Sequence, residues 1–201
     1  MMKGQRVVLA SSNPGKLAEF DGLAKSIDIE LIKQDDLGIA GGEENGLSFV
    51  ENALIKARHA SFKSGLPALA DDSGLCVNAL DGKPGLRSAR YAGDDASAED
   101  NIDKLLLAMR DVPTEQRHAH FYCILVYLRH PEDPSPLIAE GFWHGRILGS
   151  RRGTGGFGYD AVFFDPLVGL TAAELSADSK RVISHRGQAL YELRRKIYRL
   201  K

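Results

Sequence analysis

The chain has 201 residues, of which 43% are hydrophobic and 26% charged, and its formal net charge at pH 7 is −1. This composition is ordinary for a soluble globular enzyme, and the length suits one large domain or two tightly packed lobes. Because no bulk positive charge is present to hold DNA or RNA, we expect no nucleic-acid partner, and any bound phosphate must be held by a local site.

Cysteine content and hydropathy restrict the class of protein further. Cys76 and Cys123 lie in apolar runs, so they are predicted to be buried free thiols rather than a disulfide framework. No signal peptide precedes the first predicted strand, and the apolar run 121–128 is too short to cross a bilayer. We therefore expect a cytoplasmic protein with no membrane partner.

Strand and helix signals alternate along the chain. Apolar runs predict strands at 6–10, 29–32, 68–70 continuing as 75–77, 118–128, 137–143 and 161–164. A Pro-rich turn at 130–136 predicts a hairpin. Helix starts are predicted at Asn13-Pro14, Ser48-x-x-Glu51, Ser97-x-x-Asp100, Thr171-x-x-Glu174 and Ser184. This alternation predicts an α/β fold with a mixed β-sheet and flanking helices.

The first candidate site lies between the first strand and the first helix. Free backbone N–H groups at a helix N-terminus favour an anion, and a lysine one turn into the helix adds positive charge. The segment is not a Walker P-loop, and a plain strand–turn–helix with a solvated lysine is the alternative. The candidate phosphate-binding residues are Ser11, Ser12, Asn13, Pro14, Gly15 and Lys16.

The second candidate site is the carboxylate pair Asp71-Asp72 at the end of an apolar strand, followed by Ser73. Neighbouring residues of a strand point to opposite faces, so one of the two is expected to face a given cleft. Such a carboxylate can hold Mg²⁺ and orient a nucleophilic water, and Glu43 and Glu44 in a glycine-rich loop can add metal ligands. The alternative is an Asp-Ser-Gly turn with exposed charges.

Two further segments suit nucleoside binding. The glycine-rich segment 153–160 lets backbone approach a ligand closely, and an aromatic side chain within it can stack on a base. The start of the last helix carries cations where helix stability does not favour them. A flexible turn and a solvated helix start are the alternatives. The residues concerned are Phe157, Gly158, Tyr159 and Asp160 in the first segment, and Lys180, His185 and Arg186 in the second.

Taken in order, the motifs SSNPGKLAEF, ENALIKA, ADDSGL, SARYAG, GTGGFGYDAVFF, TAAEL and SHRGQAL resemble the inosine triphosphate pyrophosphatase family, especially its bacterial dITP/XTP pyrophosphatases. The resemblance covers nearly the whole chain. It implies that residues 1–201 form a single domain of two lobes around a central substrate cleft, that the protein is a homodimer, and that Mg²⁺ is the cofactor. It also implies hydrolysis of dITP, ITP and XTP to monophosphate and pyrophosphate.

The resemblance assigns roles motif by motif. Ser11 to Lys16 would hold the triphosphate, Glu43 and Asp72 the metal, and Asp72 would also act as the base that activates water, with Ser73 beside the substrate. Phe157 to Asp160 would wrap the nucleoside, and Lys180, His185 and Arg186 would contact the base.

Three alternatives compete with this assignment. A pyrophosphatase for modified pyrimidine nucleotides is disfavoured because its relatives lack the FGYD and SHR motifs. A regulatory nucleotide-binding module without catalysis is disfavoured by the presence of Asp72 and Glu43. A nucleic-acid-binding protein is disfavoured by the net charge of −1.

Overall fold

The computed structural model describes residues 4–11, residue 20 and residues 29–199. Within these, seven strands form one sheet in the order β2-β1-β3-β4-β5-β6-β7. Their bounds are β1 Gln5–Ala10, β2 Ile29–Lys33, β3 Ala68–Val77, β4 His118–Leu128, β5 Leu137–Ile147, β6 Phe163–Asp165 and β7 Leu170–Thr171. β1 pairs in parallel with β2 and β3, whereas β6 pairs antiparallel with β5 and β7. The predicted mixed sheet is confirmed.

Four α-helices lie within the described residues: α1 Phe49–Ser64, α2 Ala98–Ala108, α3 Ala177–Ile183 and α4 His185–Tyr198. The first two begin at the predicted caps. The hydroxyl of Ser48 accepts the amide of Glu51 at 3.4 Å, and Ser97 with Asp100 forms a complete capping box. Gly65 ends α1 in the left-handed conformation, with φ of 67°. None of the helices in this part of the chain is long and apolar enough to cross a membrane.

The chain divides into two compact units. Unit 1 comprises Met1–Asp72, Cys123–Gly141 and Arg186–Lys201. In its core, Val7, Leu9 and Leu69 pack with Phe20 and with the α4 residue Leu193. The continuous apolar run of β1 is buried as expected for a strand flanked by parallel neighbours.

Unit 2 comprises Ser73–Tyr122 and Phe142–His185. Its core includes Leu75 of β3, Leu105 of α2 and the rings of Trp143 and Phe163. The indole of Trp143 donates to the buried Asp165 at 2.7 Å, which satisfies both polar groups inside the core. The predicted arrangement of two lobes around a substrate cleft stays a prediction.

The connection between β4 and β5 in unit 1 is held by one carboxylate. Asp133 is 1% exposed and accepts the amides of Arg129 and Ser135, each at 3.0 Å. The guanidinium of Arg129 also donates to it, through Nε at 2.8 Å. These donors, that of the Arg129 side chain foremost, hold the pKa of Asp133 far below its usual range.

Two predicted elements are wrong in detail. The strand expected at 161–164 begins only at Phe163, because the amides of Val162 and Phe163 both bond the carbonyl of Tyr159 in a turn. Thr171 does not cap a helix. It lies in β7, and the next helix begins at Ala177 with Ser176 as its N-cap.

Candidate active site

Both carboxylates of the Asp71-Asp72 pair are buried within β3, which runs without interruption through them. Asp71 is 1% exposed and Asp72 8% exposed. A buried charge is costly unless it is paired, so each carboxylate requires a nearby cation. A different cation forms the ion pair with each carboxylate, in keeping with the opposite orientations of adjacent strand residues.

The cation beside Asp72 is Lys56, which lies on α1. Its Nζ is 3.5 Å from Oδ1 of Asp72 and 2.9 Å from Oε1 of Glu44. Burial alone lowers the pKa of Lys56, but Asp72, Asp71 and Glu44 raise it by more, so the net pKa lies above the usual value. Lys56 is therefore a permanent positive charge inside an acidic cluster at neutral pH.

Lys56 is a candidate functional residue to which the sequence motifs assign no role. The signal was present, because α1 buries Ala53, Ala57 and Ala60, and Lys56 lies next to that face with a side chain only 13% exposed. A lysine so little exposed on an amphipathic helix is unusual unless it has charged partners.

The acidic loop before α1 is packed onto the helix. The imidazole Nε2 of His59 is 2.9 Å from the carbonyl of Ala40, and the amide of Gly46 donates to the Asn52 side chain at 2.9 Å. A Cβ at Gly46 would lie 2.6 Å from that of Glu51, so only glycine permits this approach. Glu43, the predicted metal ligand, and Glu44 are both exposed, and the packing places the Glu44 carboxylate against Lys56.

The donor set of this cluster fits magnesium. The described residues contain no group of three or more His, Cys, Asp or Glu side chains arranged to hold a metal ion. Mg²⁺ does not require one, because it commonly takes one or two carboxylates and completes its octahedron with water and substrate phosphates. Asp72 with a glutamate of the acidic loop provides oxygen ligands of the kind it prefers.

The cation beside Asp71 is Arg186, at the start of α4. The guanidinium Nε lies 3.7 Å from Oδ2 of Asp71, and Arg186 is only 2% exposed. The sequence had assigned Arg186 to the base of the substrate. The structure shows that Arg186 forms a buried ion pair within unit 1, and its contact with the base stays a prediction.

Unit 2 brings together three of the predicted nucleoside-binding residues. The buried carboxylate of Asp160 accepts the amide of Phe157 at 2.8 Å and forms an ion pair with Lys180. The same ammonium lies 4.7 Å from the centre of the Phe157 ring, which is 42% exposed. A Cβ at Gly156 would lie 2.0 Å from Oδ2 of Asp160, and φ there is 75°, so glycine is required. The result is an exposed aromatic ring fixed beside a cation.

Two other predicted residues of unit 2 have structural partners. Tyr159 is 4% exposed, and its hydroxyl donates to the carbonyl of Ser88 at 2.9 Å. Burial raises the pKa of this phenol well above its usual value.

His185 is 7% exposed and stacks on Phe121, with ring centres 4.8 Å apart and planes at 13°. Gly158 has φ of 60°, and Ser73 is half-buried directly after Asp72.

The predicted phosphate-binding segment is only partly described. Ser11 directly follows β1 and is 9% exposed. Ser12, Asn13, Pro14, Gly15 and Lys16 lie outside the described residues, so their assignment stays a prediction.

A buried carboxylate centre with a resident lysine suits activation of water, and a glycine-rich loop that presents an aromatic ring suits a nucleoside. On an α/β sheet these features define a class, the nucleotide-hydrolysing α/β enzymes. The chain belongs to the Ham1 family, whose model matches residues 7–196.

Named relatives and solved structures agree with this assignment. A dITP/XTP pyrophosphatase of Xanthomonas campestris pv. campestris (strain 8004) is 56% identical over 196 residues, 98% of this chain and 98% of the relative. A dITP/XTP pyrophosphatase of Escherichia coli (strain K12) is 55% identical over 186 residues, 92% of this chain and 94% of the relative. The structure of a HAM1 protein from Coxiella burnetii has a TM-score of 0.92 at 46% identity, with 97% and 99% of the two chains covered.

Proposed function

We propose that this chain hydrolyses the non-standard purine nucleoside triphosphates dITP, ITP and XTP to the monophosphate and pyrophosphate, with Mg²⁺ as cofactor. The observation that carries the proposal is the cluster of the buried Asp72 with Lys56 and Glu44, in a chain 55% identical to an enzyme named for this activity. By removing such nucleotides, the protein would cleanse the nucleotide pool.

Asp72 is the proposed general base. Its carboxylate accepts a proton from water, the water oxygen forms a bond to the α-phosphorus, and the bond from that phosphorus to the bridging oxygen breaks. Pyrophosphate leaves with the electron pair of the broken bond. Lys56, 3.5 Å away, favours the ionised form of the base, which is the form able to accept the proton.

Magnesium would be held by Asp72 with Glu44 or Glu43, and when bound it supplies charge neutralisation for the phosphate oxygens. The protein contributes the rest of the phosphate site through Ser11 to Lys16, where backbone N–H groups and the Lys16 ammonium suit several anionic oxygens. Ser73, next to the base in sequence, completes the proposed set of contacts.

Phe157 is the proposed stacking surface for the purine, since it is the exposed ring of the glycine-rich segment and lies beside Lys180. Hypoxanthine and xanthine carry a carbonyl at C6 where adenine carries an amino group. His185, Lys180 and Arg186 are proposed donors to that oxygen, and an arginine has no acceptor for the adenine amino group. Unpaired donors of this kind can discriminate by up to about 10⁴-fold.

The direct test is to incubate the protein with Mg²⁺ and a panel of dITP, ITP, XTP, ATP, GTP and dUTP, and to identify the products by ³¹P NMR. The proposal expects monophosphate and pyrophosphate from the first three, and much slower hydrolysis of the others. GTP carries the same C6 oxygen, so its rejection has to arise at its 2-amino group. Release of inorganic phosphate with a diphosphate would contradict it. A panel without any turnover would favour a binding module instead.

We also propose that the protein is a homodimer and acts in the cytoplasm. The homodimer comes from the family resemblance, and the location from the proposed action on the nucleotide pool. Light scattering coupled to size-exclusion chromatography distinguishes a mass near twice 21.9 kDa from the mass of the single chain.

A further inference from the structure

The glycine-rich segment 153–158 is exposed along most of its length, so its shape must be imposed by contacts on either side. Two backbone hydrogen bonds, one from the segment and one to Asp160 just after it, connect it to residues 171–174. The amide of Gly155 donates to the carbonyl of Ala173 at 3.1 Å, and the amide of Ala173 donates to the carbonyl of Asp160 at 3.2 Å. We name residues 171–174 the platform.

The segment lies on the platform without spare room. A Cβ at Gly153 would lie 2.8 Å from Cγ of Glu174 and 2.9 Å from the carbonyl carbon of Ala173. A Cβ at Gly155 would lie 2.8 Å from the Ala173 carbonyl oxygen. Because the segment lies so close to the backbone of residues 173 and 174 that no Cβ fits between them, a displacement of the platform is passed directly to the segment that carries Phe157.

Glu174 closes the platform. One of its oxygens, Oε2, accepts the amide of Thr171 at 2.7 Å and the hydroxyl of Thr171 at 3.1 Å. The amide of Thr171, with Arg152 contributing, holds the pKa of Glu174 below its usual value. The Thr-x-x-Glu motif thus closes a turn here instead of starting a helix.

Arg152, the residue directly before Gly153, ties this turn to the start of the segment. Its Nε donates to Oε2 of Glu174 at 2.8 Å, and its Nη2 donates to the carbonyl of Gly169 at 3.2 Å. The guanidinium lies 5.1 Å from the centre of the Phe164 ring. Its carbonyl lies 2.8 Å from the hydroxyl oxygen of Thr171 and shares that single hydroxyl proton with Oε2 of Glu174. The side chain and the backbone carbonyl of Arg152 therefore both contact the platform, and the side chain also contacts β6 and the turn that follows it.

We infer that Arg152 and Glu174 are positioning residues, which set the conformation of the glycine-rich segment and through it the affinity for the nucleoside. Neither belongs to the residues proposed to contact substrate. The inference rests on the proposed function in one respect, that the segment presenting Phe157 binds the nucleoside. A residue that only shapes a binding surface acts on ground state and transition state alike, so its loss raises KM and spares kcat.

The test compares Arg152→Ala and Glu174→Ala with Arg151→Ala. Arg151 is a matched control, since it is adjacent, of the same type and paired with two carboxylates, Glu99 and Asp103, which belong to α2. We expect Arg152→Ala to raise the KM for ITP about 5–20-fold, with kcat within about twofold and little change in the control. The double variant Arg152→Ala/Glu174→Ala should lose little more than either single variant.

Hydrogen–deuterium exchange of the amides in 153–158 gives a second readout, which needs no substrate. In Arg152→Ala the amide of Gly155 should exchange about tenfold faster, because the platform no longer holds its hydrogen bond to the carbonyl of Ala173. Arg152→Lys keeps the positive charge but loses the planar guanidinium that donates to both Glu174 and Gly169, so its effect should be intermediate. This variant serves as the test if the alanine variant does not fold.

A KM within twofold of the wild type, with unchanged exchange in 153–158, overturns the inference. So does an equal change in Arg151→Ala. If the wild-type protein hydrolyses none of the panel, the proposed function fails, whereas the exchange measurement still decides whether Arg152 and Glu174 shape the segment.

Discussion

Arg186 and Asp71 form an ion pair, 3.7 Å between Nε and Oδ2, in which both side chains are almost completely withdrawn from water. A pair of this kind contributes little net stability compared with apolar residues of the same shape, but removal of one partner leaves an uncompensated buried charge. Substitution of Arg186 therefore tests two things at once, the proposed contact with the base and the integrity of unit 1.

We expect Arg186→Ala to lower the free energy of unfolding by about 3–5 kcal/mol, because the buried Asp71 carboxylate loses the guanidinium that lies 3.7 Å from it. Chemical denaturation measures this directly. The double variant Asp71→Leu/Arg186→Met, which removes both charges, should recover most of the loss. If the double variant is as unstable as Arg186→Ala, the pair is not the source of the effect.

Asp72→Asn should reduce turnover of ITP by at least about 10²-fold, since the amide can neither accept the proton nor neutralise a cation. Binding of a non-hydrolysable ITP analogue, followed by calorimetry, should be affected far less. Asp111→Asn, at an exposed side chain, is the matched control and should behave as wild type. Turnover of Asp72→Asn near the wild-type level at saturating Mg²⁺ would remove Asp72 from the mechanism.

Lys56→Met should shift the acidic limb of the kcat/KM–pH profile for ITP to higher pH by about one unit. The reason is that a carboxylate deprived of a cation at 3.5 Å holds its proton more tightly. Lys56→Arg keeps the charge and should restore most of the wild-type profile. Lys63→Met, at an exposed position of the same helix, controls for loss of a lysine. A parallel drop in rate without a shift along the pH axis would argue against electrostatic coupling to the base.

Asp133→Asn should lower the free energy of unfolding at pH 7 by about 1.5–3 kcal/mol, the range for hydrogen bonds to a charged group. The folded pKa of Asp133 is depressed, so its stabilisation is complete above the unfolded value near 3.9 and declines as pH falls toward the folded pKa. The difference between wild type and variant should therefore shrink below about pH 4. Denaturation curves measured from pH 7 to pH 2.5 test this, and a constant difference would contradict it.

Sequence reasoning succeeded where the determining interactions are local. β1 was predicted from an unbroken apolar run, and α1 and α2 from capping residues three positions apart, and all three were found. Within the site, the juxtaposition of Asp160 with Phe157 arises in a similar way, since a short turn returns the carboxylate to the amide.

Sequence reasoning failed where the interacting residues are distant in sequence, or where several residues compete for the same side chain. The pairing of Asp71 with Arg186 joins a strand to the last helix, and no local pattern signals it. Thr171-x-x-Glu174 has the pattern of a helix cap, but Thr171 is fixed in β7 opposite Phe164, and Arg152 also binds the Glu174 carboxylate. Both side chains are thus engaged by neighbours that the motif does not include.

The lysine bound between Glu44 and Asp72 bears on how the protein behaves when divalent cations are withdrawn. Many metal centres lose their fold with their ion, because bare carboxylates then repel one another. Here an ammonium already offsets that repulsion. We therefore expect EDTA to abolish hydrolysis while the melting temperature stays within about 2 °C. Renewed addition of Mg²⁺ should return full activity without a refolding lag. The supply of the ion would then control activity reversibly, while the protein stays folded without it.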